Sequence, residues 1–163
     1  MLLATNQEKT INIMTLQEAI NFLTSLAEQS TKKSEIKVYQ EFIDILNALD
    51  KRDLSNEDIA SIEAKLEDLN LDSNPRYRKR FFKKQLYKFK GFLNESFSLT
   101  TKNYFTNYYI SMGMLFGVVI GVLIGERSDK SMGISLGISL GMMVGVLIGQ
   151  AKDAKARKEG RII

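Results

Sequence analysis

From Leu16 to Leu69, apolar residues recur every three or four positions and nowhere alternate over the length of a strand, so the pattern predicts helices throughout. Thr15-Leu-Gln-Glu18 has the form of a capping box, in which the Thr hydroxyl and the Glu carboxylate each take a backbone N–H at a helix start. Leu16, Ala19, Ile20, Leu23, Leu26 and Ala27 then follow on one helical face. After the polar turn Ser30–Ser34, a second helix places Ile36, Tyr39, Phe42, Ile43, Leu46 and Leu49 inward. Ser55-Asn-Glu-Asp58 caps a third, with Ile59, Ile62, Leu66 and Leu69 facing the core. Asn74-Pro75 reads as a cap and proline opening a fourth, longer helix.

Beyond Asn103 the periodicity gives way to two almost unbroken apolar runs, Tyr104–Gly125 and Ser131–Gly149. As helices they span about 33 Å and about 28 Å, matching a bilayer core of roughly 30 Å. The short polar stretch Glu126–Lys130 between them predicts an antiparallel hairpin. The expected fold is all-α, with an arm (1–14), a small helical bundle (15–73) and a basic amphipathic juxtamembrane helix and linker (74–103). A transmembrane hairpin (104–150) and a basic tail (151–163) follow.

Both apolar runs carry glycine at every fourth position: Gly113, Gly117, Gly121 and Gly125 in the first, Gly133, Gly137, Gly141, Gly145 and Gly149 in the second. Residues four apart share a helix face, so each run makes a groove without side chains. An exposed helix in water loses about 1 kcal/mol per glycine relative to alanine. In a bilayer the same positions let backbones approach closely, and helix packing is their expected role. Ser131, Ser135 and Ser139 repeat at the same interval in the second run, about 200° round the helix from the glycines. Two small-residue faces on one helix suit a helix between neighbours. A homo-oligomer is therefore expected, with second helices central and the serines as pore-lining candidates. The competing reading is that the glycines tighten one monomeric hairpin. Gly121-Val-Leu-Ile-Gly125 and Gly145-Val-Leu-Ile-Gly149 also suggest an internal duplication, on a short match.

Charge is segregated along the chain. Residues 1–75 carry 7 Lys/Arg against 14 Asp/Glu, residues 76–103 carry 9 against 1, residues 104–150 carry 2 against 2, and residues 151–163 carry 5 against 2. Basic flanks at the outer ends of both spans and a neutral turn predict cytoplasmic termini. Tyr104, Phe105, Tyr108 and Tyr109 would form an aromatic belt at the inner interface. Met1–Ala4 is too short for a secretory apolar region.

The basic helix holds Arg76, Arg78, Lys79, Arg80, Lys83, Lys84, Lys88 and Lys90, interleaved with Tyr77, Phe81, Phe82, Leu86, Phe89, Phe92 and Leu93. Three readings stand beside one another. The helix enforces orientation and lies on anionic lipid headgroups. It binds a phosphate-rich ligand or nucleic acid, of which nucleic acid is the less expected partner. Or it docks on the acidic bundle before it.

The chain has no Cys and no His, which excludes disulfides, thiolate nucleophiles, the usual zinc sites, lipoprotein attachment and imidazole catalysis. No cofactor or metal is expected. The acidic pairs Glu57/Asp58 and Glu67/Asp68 point about 100° apart on helix surfaces and converge on nothing, so an enzyme is not expected.

The extended GxxxGxxxG runs resemble the glycine-zipper pattern. With Ile36-Lys-Val-Tyr39, Asn74–Lys84, Ser131–Gly137 and Lys155–Gly160, the layout resembles uncharacterised bacterial glycine-zipper family membrane proteins from Met14 onward. The resemblance implies a bacterial inner (cytoplasmic) membrane and brings no activity, ligand or catalytic residue. At motif level, similar zippers pack helices around pores in mechanosensitive channels and pore-forming toxins. Two functions follow. The preferred one is an oligomeric pore or permeabilising effector, hydrated by the serines and controlled by the cytoplasmic bundle. The alternative is a membrane-anchored homo-oligomeric scaffold whose acidic bundle recruits a cytoplasmic partner. Expected partners are membrane lipids, further copies of the chain, and that cytoplasmic protein or ligand.

Overall fold

The computed structural model describes residues 14–73, 75–126 and 129–163. Most of the amino-terminal arm, Asn74 of the expected fourth cap, and Arg127 and Ser128 of the hairpin turn lie outside them. The described residues form six helices: α1 (Leu16–Gln29), α2 (Lys33–Asp50), α3 (Asn56–Asp68), α4 (Arg78–Phe97), α5 (Tyr104–Gly125) and α6 (Lys130–Lys158). The protein is all-α. It divides into two compact units, Met1–Gly91 and Phe92–Ile163, with the division inside α4.

In the first unit, capping boxes start two helices. Thr15 and Glu18 close one on α1, and Ser55 and Asp58 close the other on α3. The Leu16 N–H donates to Glu63 of α3, a long-range bond that ties the start of α1 to its neighbour. Leu23, Phe42, Leu46, Leu49, Ile62 and Leu66 are fully buried, as the helical spacing requires. Val38, Ile45 and Leu71 join that core without having been expected there, and Ile59, expected inward, stays 36% exposed in the first turn of α3.

The basic helix docks on α2 through its apolar edge. Phe82 meets Tyr39 edge-on at 5.0 Å between ring centroids, and Phe89 meets Phe42 at 5.3 Å. Burying each such side chain contributes about 1.5–3 kcal/mol, and each ring pair adds about 0.5–1.5 kcal/mol. Lys90 forms an ion pair with Glu41 of α2 beside them. α4 begins at Arg78, three residues after Pro75, and its first backbone bond runs from the Phe81 N–H to the Tyr77 carbonyl. Tyr77 therefore occupies the capping position, and the proline lies outside the helix rather than at its first turn.

In the second unit, α5 and α6 run antiparallel in close contact. α6 continues nine residues beyond Gly149 and ends in a Schellman turn. Gly160 there adopts φ 68°, its N–H donates to the Arg157 carbonyl, and the Arg161 N–H donates to the Ala156 carbonyl. The chain then pairs with the α4–α5 connection: the Thr100 N–H donates to the Arg161 carbonyl at 2.8 Å, and the Ile163 N–H to the Thr100 carbonyl at 3.0 Å. The basic tail is thus helix followed by a bridged strand-like end.

Candidate functional site

Both glycine faces meet inside one hairpin. Gly113 lies against Gly141, Gly117 against Gly137, and Gly121 against Gly133. Beyond these, Gly145 abuts Tyr109 and Gly149 abuts Thr106. A Cβ on Gly117 would overlap the Gly137 carbonyl oxygen, and one on Gly137 would overlap the Gly117 carbonyl oxygen. These obstacles are backbone atoms, so no rotamer change relieves them. Every glycine of both runs except Gly113 and Gly141 is buried, and those two are half-buried.

The seam ends in a polar clamp that sequence reasoning missed. Asp153 is 5% exposed, and its carboxylate accepts the Phe105 N–H at 3.1 Å, the Thr106 N–H at 2.9 Å and the Thr106 hydroxyl at 2.6 Å. These are otherwise unpaired donors of the first turn of α5, whose own N-cap, Asn103, provides no side-chain bond. The signal was present: Asp153 is four residues past Gly149 and continues the same series. At the other end Asp129 caps α6 by accepting the Ser131 N–H at 2.8 Å.

Ser131, Ser135 and Ser139 lie on the exposed back of α6, away from the seam. The Ser135 hydroxyl donates to the Ser131 carbonyl and the Ser139 hydroxyl to the Ser135 carbonyl, both at 2.8 Å. The Ser135 and Ser139 protons are thus bonded to their own helix. The seam is flanked on one side by an apolar groove of about 650 Å³, rimmed by Phe116 and Ile120 of α5 and Leu136 and Leu140 of α6. At the Asp153 end, Tyr104 and Phe105 stack edge-on, as do Tyr108 and Tyr109, and the Lys152 ammonium sits 5.5 Å from the Tyr109 ring centroid.

The eight cations singled out in the sequence fall into three groups. Arg76, Arg78, Lys79, Arg80 and Lys83 line an open cleft of about 740 Å³ between the start of α4 and the α1–α2 turn. Lys84 and Lys88 are exposed outside it, and Lys90 is held by Glu41. The turn contributes Ser30, Thr31 and Lys32, residues that read in sequence as no more than a polar connection. Glu35 is the sole acid among the lining residues; it accepts the Ser30 hydroxyl at 3.1 Å and lies 3.4 Å from the Lys32 ammonium. One turn along α2, the Tyr39 hydroxyl is buried without a hydrogen-bond partner. Burial chiefly, and then the Glu35 charge, push its pKa above 10.0, while Arg78 pulls the other way.

Comparison with family models, with curated proteins and with solved structures finds no match. α5 and α6 are long and apolar enough to cross a membrane.

Proposed function

We propose that this chain is a membrane-anchored binding protein, in which the α5–α6 hairpin is the anchor and the amino-terminal helices engage a ligand or partner on the cytoplasmic side. The observation that carries this reading is the closure of both glycine faces on each other within one chain. Close backbone approach is what such faces provide in lipid, and here one hairpin consumes it without a second copy. Neither apolar run contains Asp, Glu, Lys, Arg or His, so the anchor offers no charged ion site. Basic flanks and the tyrosine belt support insertion with both termini cytoplasmic.

A second reading, the oligomeric pore, draws on the serine column. Three small polar residues on the back of α6 are exposed in a single chain and would hydrate the outer half of an axis if several copies assembled around it. Ion flux across liposomes reconstituted with full-length protein separates the two. The anchor reading expects flux equal to that of protein-free liposomes. Flux above that level, abolished by Ser135→Leu together with Ser139→Leu, would replace it with the pore.

A further inference from the structure

We infer that the cleft between the α1–α2 turn and the start of α4 binds a phosphate-bearing anion through Lys32, Arg76, Lys79, Arg80 and Lys83. This deepens the binding role proposed above for the amino-terminal unit and does not depend on how the hairpin behaves. Its first support is how the cations are partnered. Elsewhere in this unit Lys90 pairs with Glu41 and Lys65 with Asp68. At the cleft Glu35 pairs with Lys32, and it is the sole acid among the lining residues. Among the described residues Arg76, Lys79, Arg80 and Lys83 form no ion pair, and Arg76 sits instead 5.7 Å from the Tyr77 ring centroid. Gathering like charges around one concavity is unfavourable until a multivalent anion fills it.

The second support is chemical fit. Guanidinium forks bind phosphate oxygens bidentately, ammonium groups add point charge, and the Ser30 and Thr31 hydroxyls offer neutral donors. The cleft's volume is that of a small-molecule site rather than of a single ion, which suits a phosphorylated metabolite or a phospholipid headgroup.

The test uses full-length protein in neutral phosphatidylcholine nanodiscs, titrated calorimetrically with inorganic pyrophosphate and, separately, with dioctanoyl phosphatidic acid. Two charge reversals of equal size on the same helix are compared: Arg80→Glu with Lys83→Glu inside the cleft, and Lys84→Glu with Lys88→Glu outside it. The cleft pair is expected to weaken binding by at least about tenfold, because charge-assisted bonds become repulsions, and the outer pair by no more than about twofold. Binding of pyrophosphate identifies a soluble phosphate ligand, and binding of phosphatidic acid alone identifies a headgroup; either upholds the site. Equal weakening by both pairs would reduce it to a diffuse basic field, and binding of neither probe by the parent protein would remove it. Arg80→Gln with Lys83→Gln replaces the cleft reversal if that variant loses its helical circular-dichroism signal. Neither flux nor membrane topology enters this readout, so the site and the anchor stand or fall separately.

Discussion

Two buried polar side chains in this protein are in opposite situations, and the difference sets what each does to stability. The Asp153 carboxylate accepts three hydrogen bonds and satisfies donors that would cost about 1–3 kcal/mol each if buried unpaired. Tyr39 keeps its ring in the core against Phe82 but leaves its hydroxyl unanswered. Its raised pKa means that the folded state holds the phenolic proton after the unfolded chain has released it. The associated stability is complete below the unfolded value of 10.0 and is lost as pH rises from there through the folded value. Tyr39→Phe is accordingly expected to unfold no more readily than the parent at neutral pH, and to melt with a shallower decline as pH rises above about 10. Thermal melts of the full chain across that range check this. A variant declining as steeply as the parent would show that other groups control the alkaline limb.

At the scale of the elements, the same substitution is expected to act with opposite sign on two helices. Gly91 lies within α4, and a Cβ there meets nothing within 4 Å. Gly91→Ala should therefore stabilise the protein by about 0.5–1 kcal/mol, through helix propensity and reduced freedom of the unfolded chain. Gly117→Ala gains the same propensity but drives its methyl into the Gly137 carbonyl, so α5 and α6 must separate. Overpacking of this kind costs about 1–3 kcal/mol, enough to outweigh the gain. Melts of the two variants in one detergent decide it, and a stabilised Gly117→Ala would mean that the seam is not closed in solution. Much of this architecture was legible in the chain. Caps at Thr15 and Ser55, the apolar stripes and the bounds of α5 follow from local chemistry and helical period. What escaped were contacts set by how helices are brought together. The four-residue series reaches Asp153 plainly enough, yet its role appears only once the antiparallel register sets it beside Thr106. The α1–α2 turn likewise gains meaning only when α4, docked through Phe82 and Phe89, brings Arg80 and Lys83 to Lys32.

For the whole molecule, the charge distribution is what the proposed topology rests on. Nine basic residues precede the first span between 76 and 103, five follow the second, and the turn's two are offset by Glu126 and Asp129. In the proposed anchor, such asymmetry would retain the basic flanks on the cytoplasmic side, since the cost of translocating them exceeds that of a neutral turn. Both units would then have their charged parts in one compartment, where the cleft can meet a soluble phosphate or the inner leaflet's headgroups. A chain without cysteine makes the test direct, because each introduced thiol is the sole one present. Glu126→Cys is expected to react with a membrane-impermeant maleimide in intact spheroplasts. Ser34→Cys in the amino-terminal unit and Lys158→Cys at the end of α6, both exposed positions, should react only after permeabilisation. Labelling of all three before permeabilisation would place the hairpin outside a bilayer altogether. Labelling of Ser34→Cys and Lys158→Cys but not Glu126→Cys would invert the topology and put the cleft beyond the reach of cytoplasmic phosphates.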